Sequence, residues 1–168
     1  KMADVVLWNG KQPGFRETLE GRGCQVVEHE WEPDFAKMRN LSFEAARGEW
    51  KSYADADDEF SRPNDACVRD AISTVRSDSV LPSQTMGEYL HSLPQEATGV
   101  WLYYDYIINS DGKPLERHPR LRFVRGNWTW RFPVHEDLIP LPPTSGSGVL
   151  NAGLVVRHFP SEPSKARV

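Results

Sequence analysis

Four carboxylates fall within five residues in Asp55-Ala56-Asp57-Asp58-Glu59. They follow the apolar-leaning run Trp50-Lys51-Ser52-Tyr53-Ala54, which reads as a strand. A strand that ends in clustered acids gathers them at a sheet edge. Hard cations take oxygen ligands, and a diphosphate-bound Mg²⁺ or Mn²⁺ uses one or two protein carboxylates beside its phosphates. Asp55 and Asp57, two positions apart, form a D-x-D pair suited to that chemistry. The same short run also reads as a solvated acidic turn that caps the next helix. It is not an EF-hand loop, because its sixth residue is Phe60 where the calcium loop needs Gly.

Composition narrows the classes. A chain of 168 residues, 39% hydrophobic and 26% charged, suits one globular domain with a substantial core. Its net charge of −4 gives no basic footprint for sequence-independent nucleic-acid binding. No apolar run approaches the ~20 residues of a membrane span, and no secretory signal is visible. Cys24 and Cys67 lack metal-ligand spacing, so a reducing, cytoplasmic setting is the expectation. Six Trp and five Tyr supply core, or platforms for sugars and bases.

The elements that must position the acids follow from punctuation and periodicity. Val5-Val6-Leu7-Trp8 reads as a buried strand stopped by Asn9-Gly10. Pro13 opens a helix to about Arg22 with Gly23 as its stop, and residues 25–29 form a second strand. Asp34 caps a helix through Ala46, and Gly48 ends it. Strand, helix, strand, helix, strand predicts an α/β layer with parallel strands and a ligand at their carboxyl ends, where Asp55 and Asp57 stand. Further on, the pattern predicts helices at about 64–73 and 86–93, and strands at 99–108, 120–125 and 154–158. It predicts a turn at 110–112, a flexible loop at 144–148, and a polar tail at 161–168.

The ordered series resembles glycosyltransferase family 2. The residues that carry the likeness are Gly23-Cys24-Gln25-Val26-Val27, Trp31, Asp34-Phe35, Arg39-Asn40, Ala45, Gly48-Glu49-Trp50 and Asp55-Ala56-Asp57-Asp58. In the second half they are Tyr104, Tyr106, Asp111-Gly112, Arg120-Leu121, Arg125, Trp130, Val134-His135-Glu136 and His158. The similarity is to the bacterial and phage branch, over about residues 4 to 160. It departs in two places. Nothing here matches the strand with which the family begins and which binds the nucleobase. The family's "D-T-G-S-T-D-G-T" is replaced by Trp8-Asn9-Gly10-Lys11-Gln12-Pro13-Gly14-Phe15.

The resemblance implies a GT-A type, Rossmann-like fold: a mixed, mostly parallel sheet flanked by helices, in one domain over 1–160. It implies transfer of a sugar from a nucleotide-sugar to an acceptor hydroxyl, with inversion. Asp55 then lies near the donor's ribose, Asp57 holds Mg²⁺ or Mn²⁺ across the diphosphate, and Asp58 or Glu59 supports it. Arg39 is a further donor-side candidate. Glu136 is the first candidate for the general base such an attack needs, and Asp137 the second. His158 is a candidate metal ligand, and His135, Trp128 and Trp130 are candidates for acceptor contacts. Each has a structural alternative: a salt bridge for Glu136 and Arg39, packing for the histidines and tryptophans. His135-Glu136 is not a zinc-protease signature, since position 139 is Ile. The competing reading is a non-catalytic relative that binds without transferring.

Overall fold

The computed structural model describes residues 5–8, 13–55, 58–61, 85–108, 114–143 and 148–158. In chain order its elements are β1 (Val5–Trp8), α1 (Phe15–Gly21), β2 (Gln25–Glu28), α2 (Phe35–Ala45), β3 (Trp50–Ser52) and β4 (Asp58–Ser61). There follow α3 (Met86–Ser92), β5 (Gly99–Ile108), β6 (Pro114–Arg125), β7 (Trp128–Arg131), β8 (Asp137–Pro140) and β9 (Gly148–His158). The chain divides into two compact units. The first combines Lys1–Lys51 with Arg125–Gly146, and the second combines Ser52–Val124 with Ser147–Val168.

In the first unit β1 and β2 pair in parallel, Val5 opposite Gln25 through Trp8 opposite Glu28. The connection through α1 is long enough for a parallel crossover. α1 stops where Gly23 takes a φ of 83°, the left-handed conformation that ends many helices. The N–H groups of Arg22 and Gly23 then close back on the carbonyls of Leu19 and Glu20. α2 starts at Asp34, whose carboxylate accepts the Lys37 backbone N–H at 2.9 Å, the N-cap bond expected of an Asp there. Its Ala36, Met38 and Phe43 are buried. β7 and β8 form an antiparallel hairpin. Asn40 of α2 holds that hairpin by its backbone. Its amide nitrogen donates to the Trp130 carbonyl at 3.0 Å, and its oxygen accepts the Trp130 N–H at 2.9 Å. The Phe43 and Trp130 rings meet edge-on at 5.7 Å.

The second unit is built on a curled, mixed sheet of order β3-β6-β5-β9-β4, which the chain enters through β3. β5 and β6 are antiparallel, β5 and β9 parallel, and β4 and β9 antiparallel. Val100, Leu102, Phe123, Val124, Val155 and Val156 form the buried centre. α3 begins with a capping box. Thr85 Oγ1 accepts the Glu88 N–H at 3.2 Å, and the Glu88 carboxylate accepts the Thr85 N–H at 2.7 Å. Tyr89 and Leu90 of this helix are buried.

This architecture corrects the expected helix-flanked, mostly parallel, Rossmann-like sheet. Among the described residues there are nine strands and only three helices, of 7, 11 and 7 residues. β1 pairs with β2, while β3 stands beside β6 in a different sheet. The physical reason lies in the connections. Parallel strands need a crossover of a dozen or more residues, whereas β5 to β6 and β7 to β8 are joined by a few residues and fold back antiparallel. The predicted helix at 64–73, the predicted turn at 110–112 and the polar tail lie outside the described residues, as does the predicted loop at 144–148 except for Gly148, which begins β9. No helix among the described residues is long and apolar enough to cross a membrane.

Asn40→Leu removes both bonds to the Trp130 backbone and leaves its carbonyl only the long bond from the Thr129 hydroxyl among those described. The expected cost is about 2 kcal/mol in urea unfolding of the full chain.

Candidate functional site

β4 is an edge strand of its sheet, and its register with β9 sets Asp58 opposite His158. Two residues exactly 100 positions apart are thus brought together, with His158 Nδ1 3.5 Å from Asp58 Oδ1. The Asp58 side chain is fully buried. Arg122 donates to Oδ2 at 3.0 Å, and the Tyr104 hydroxyl donates to Oδ1 at 3.1 Å. Asp55 closes a turn onto it: the Asp55 N–H donates to Oδ2 at 3.3 Å, and the Asp58 N–H donates to the Asp55 carbonyl at 3.0 Å. Arg122 is 2% exposed and lies between the Tyr53 and Tyr104 rings, 4.6 and 4.7 Å from their centroids. The Tyr104 phenol is held well above its usual ionisation range. Burial is the first cause and the neighbouring Asp58 charge the second, with Arg122 opposing.

Around this pair the aromatic rings gather on one face of the sheet. Tyr106 stacks on His158 with centroids 5.6 Å apart and planes within 1°. Tyr104 lies 6.1 Å from Tyr106 and 5.8 Å from His118. The Arg120 guanidinium sits 5.2 Å from the Tyr104 ring centroid and donates to His118 Nε2 at 3.1 Å. Asp105, next along β5 from Tyr104, points to the opposite face. There Arg117 grips it with two bonds, at 2.5 and 2.9 Å, and Arg157 approaches to 3.9 Å.

The first unit collects a different set. Arg39 Nε donates to Glu136 at 2.8 Å, and its guanidinium lies 5.0 Å from the Trp130 ring centroid. Trp130 is 4% exposed and packs as core. Trp128 is half-buried, with its indole N–H donating to the Arg125 carbonyl at 3.1 Å. His135 is exposed at a positive φ of 56°. Asp137 is exposed, and its carboxylate accepts the Leu138 N–H at 3.0 Å. Of the residues singled out in the sequence, Asp55, Asp58 and His158 come together in one unit, and Arg39, Glu136 and Trp130 in the other. Asp57 lies outside the described residues.

Asp58 already neutralises Arg122, and a dication there would face that guanidinium across one carboxylate. Among the described residues no three His, Cys, Asp or Glu side chains form a metal-holding group. Sequence reasoning gave no role to Tyr53, Tyr104, Tyr106, His118, Arg120 or Arg122. Alternation was the available signal, since 104 and 106, and 118, 120 and 122, are period-two sets that share strand faces. No protein-family model matches the chain, and no curated protein matches it.

Tyr104 carries a pH prediction. A phenol whose folded ionisation is raised contributes stability that is complete below the ordinary value near 10. That stability is lost as pH rises through the folded value. Between about pH 10 and 11, wild-type unfolding free energy is expected to fall more steeply than that of Tyr104→Phe, measured by urea titration at each pH.

Proposed function

We propose that the chain is a glycosyltransferase that takes a sugar from a nucleotide-sugar and passes it to an acceptor hydroxyl. The observation that carries this reading is the pairing of the D-A-D-D run with His158 through Asp58, two stretches to which the resemblance gives one task. In the proposed reaction the acceptor oxygen bonds to the anomeric carbon as the bond from that carbon to the diphosphate oxygen breaks. The hydroxyl proton passes to a carboxylate. Asp55 faces the donor's ribose, and His158 stands by the departing diphosphate, where an imidazole N–H can donate to its oxygens. The resemblance assigns the proton to Glu136, with Asp137 second. Arg39 fixes the Glu136 rotamer by its 2.8 Å bond.

One observation favours the second reading, a module that binds donor without transferring. Both oxygens of Asp58 are already engaged within the protein, so this carboxylate holds structure rather than ligand.

Incubation of the full chain with UDP-, GDP- and TDP-sugars and Mn²⁺ or Mg²⁺ is expected to release a nucleoside diphosphate from one of them. Donor binding without release at any acceptor or water supports the second reading, and no binding sinks both. Glu136→Gln is expected to lower turnover by about 10²–10⁴-fold with donor affinity unchanged. Near-wild-type turnover moves the base elsewhere.

A further inference from the structure

The Tyr106–His158 stack presents an exposed tyrosine ring beside His118 and Arg120, and packing alone does not account for it. A tyrosine placed only for the core would be buried like Tyr104, at 4% exposed. Tyr106 is 46% exposed, yet it keeps its ring parallel to an imidazole. His118 lies 6.5 Å from it, and exposed Arg120 adjoins His118.

The charges on this face are ordered. The carboxylate that would repel an anion, Asp58, is fully buried and neutralised by Arg122. Asp105 is buried on the opposite face between Arg117 and Arg157. Glu116, 3.8 Å from His118, adjoins the set and is half exposed. Among the described residues, Arg120 is left exposed to solvent here, beside the half-buried imidazoles of His118 and His158, and half-buried Asp55 also acts on Tyr104. Flat rings with positive charge at one side match a flat ring with negative charge at one side. Bases stack on aromatic side chains whatever their identity, and Arg and His meet phosphate oxygens.

We infer that the nucleoside diphosphate half of the donor lies on this face, with its base stacked on Tyr106 and its phosphates towards Arg120 and His118. The inference rests on the donor reading above and names the part of the donor these residues hold. A base on Tyr106 extends the existing His158–Tyr106 stack by one ring. The phosphates then fall within reach of side chains on β6, the strand adjoining β5.

The test is calorimetric titration of the full chain with UDP, GDP, TDP and inorganic pyrophosphate. At least one nucleoside diphosphate is expected to bind. Tyr106→Ala is expected to weaken that binding about tenfold, in line with loss of one stacked base, and to leave pyrophosphate binding as it was. Tyr106→Phe, which keeps the ring, is expected to bind as wild type. Arg120→Gln is expected to weaken nucleoside diphosphate and pyrophosphate alike and to flatten the salt dependence of both. Circular dichroism checks that each variant is folded, and the exposure of both side chains makes that the expected result.

Wild-type affinity in folded Tyr106→Ala overturns the inference and leaves the transferase reading standing. Ring-dependent binding in a chain that transfers no sugar keeps the inference and removes transfer. Failure of the wild type to bind any of the three nucleotides overturns both.

Discussion

The second unit depends on one ion pair, Arg122 with Asp58. Neither side chain reaches solvent, at 2% and 0% exposed. Desolvating two charges costs several kcal/mol each, and attraction in the interior offsets it only where the remaining polar atoms find partners. Here they largely do. Tyr104 and the Asp55 backbone satisfy the carboxylate, the Tyr53 carbonyl accepts from Arg122 at 3.4 Å, and two tyrosine rings sandwich the guanidinium. Arg122 Nε is buried without a hydrogen bond among the described residues, so the arrangement is satisfied but not saturated.

The pair also sets the geometry of the sheet. Arg122 is on β6 and Asp58 on β4, and the strand order places β5 and β9 between them. At about 4.8 Å per spacing a flat sheet would hold these strands ~14 Å apart, near the combined reach of the two side chains and the bond between them. Curling towards this face shortens that path. The same curl draws Tyr104, Tyr106, His118 and His158 together from three strands. The ring platform and the buried ion pair therefore have one cause.

In the first unit the corresponding constraint is backbone rather than charge. Phe132 and His135 both take positive φ, at 71° and 56°. Left-handed conformations cost a bulky residue on the order of 1–2 kcal/mol and persist only where the surroundings impose them. The imposing contacts are near at hand. Asn40 clamps the hairpin at Trp130, the Phe35 N–H donates to the Pro133 carbonyl at 3.0 Å, and Arg39 takes Glu136. All three come from α2. One helix thus fixes the loop that carries His135 and Glu136, whatever chemistry those residues perform.

Local structure was legible in the sequence because its causes are local. Asp34 three residues before an N–H in need of an acceptor caps α2. Gly23 ends α1, and β-branched or aromatic runs make β1, β5 and β9. The β7–β8 hairpin was not legible, since prolines and a His-Glu-Asp triplet masked its short strands. The site was legible as residue types and not as partners. The acids and His158 stand out in the sequence, but nothing near Asp58 announces Arg122, 64 residues away. Nothing near Arg39 announces Glu136, 97 residues away. Those pairings depend on strand order and sheet curl, which are settled by which apolar faces can be buried together. Caps and turns are short-range interactions that a window of residues contains. Sheet neighbours are chosen by long-range burial, and only the tertiary structure decided them.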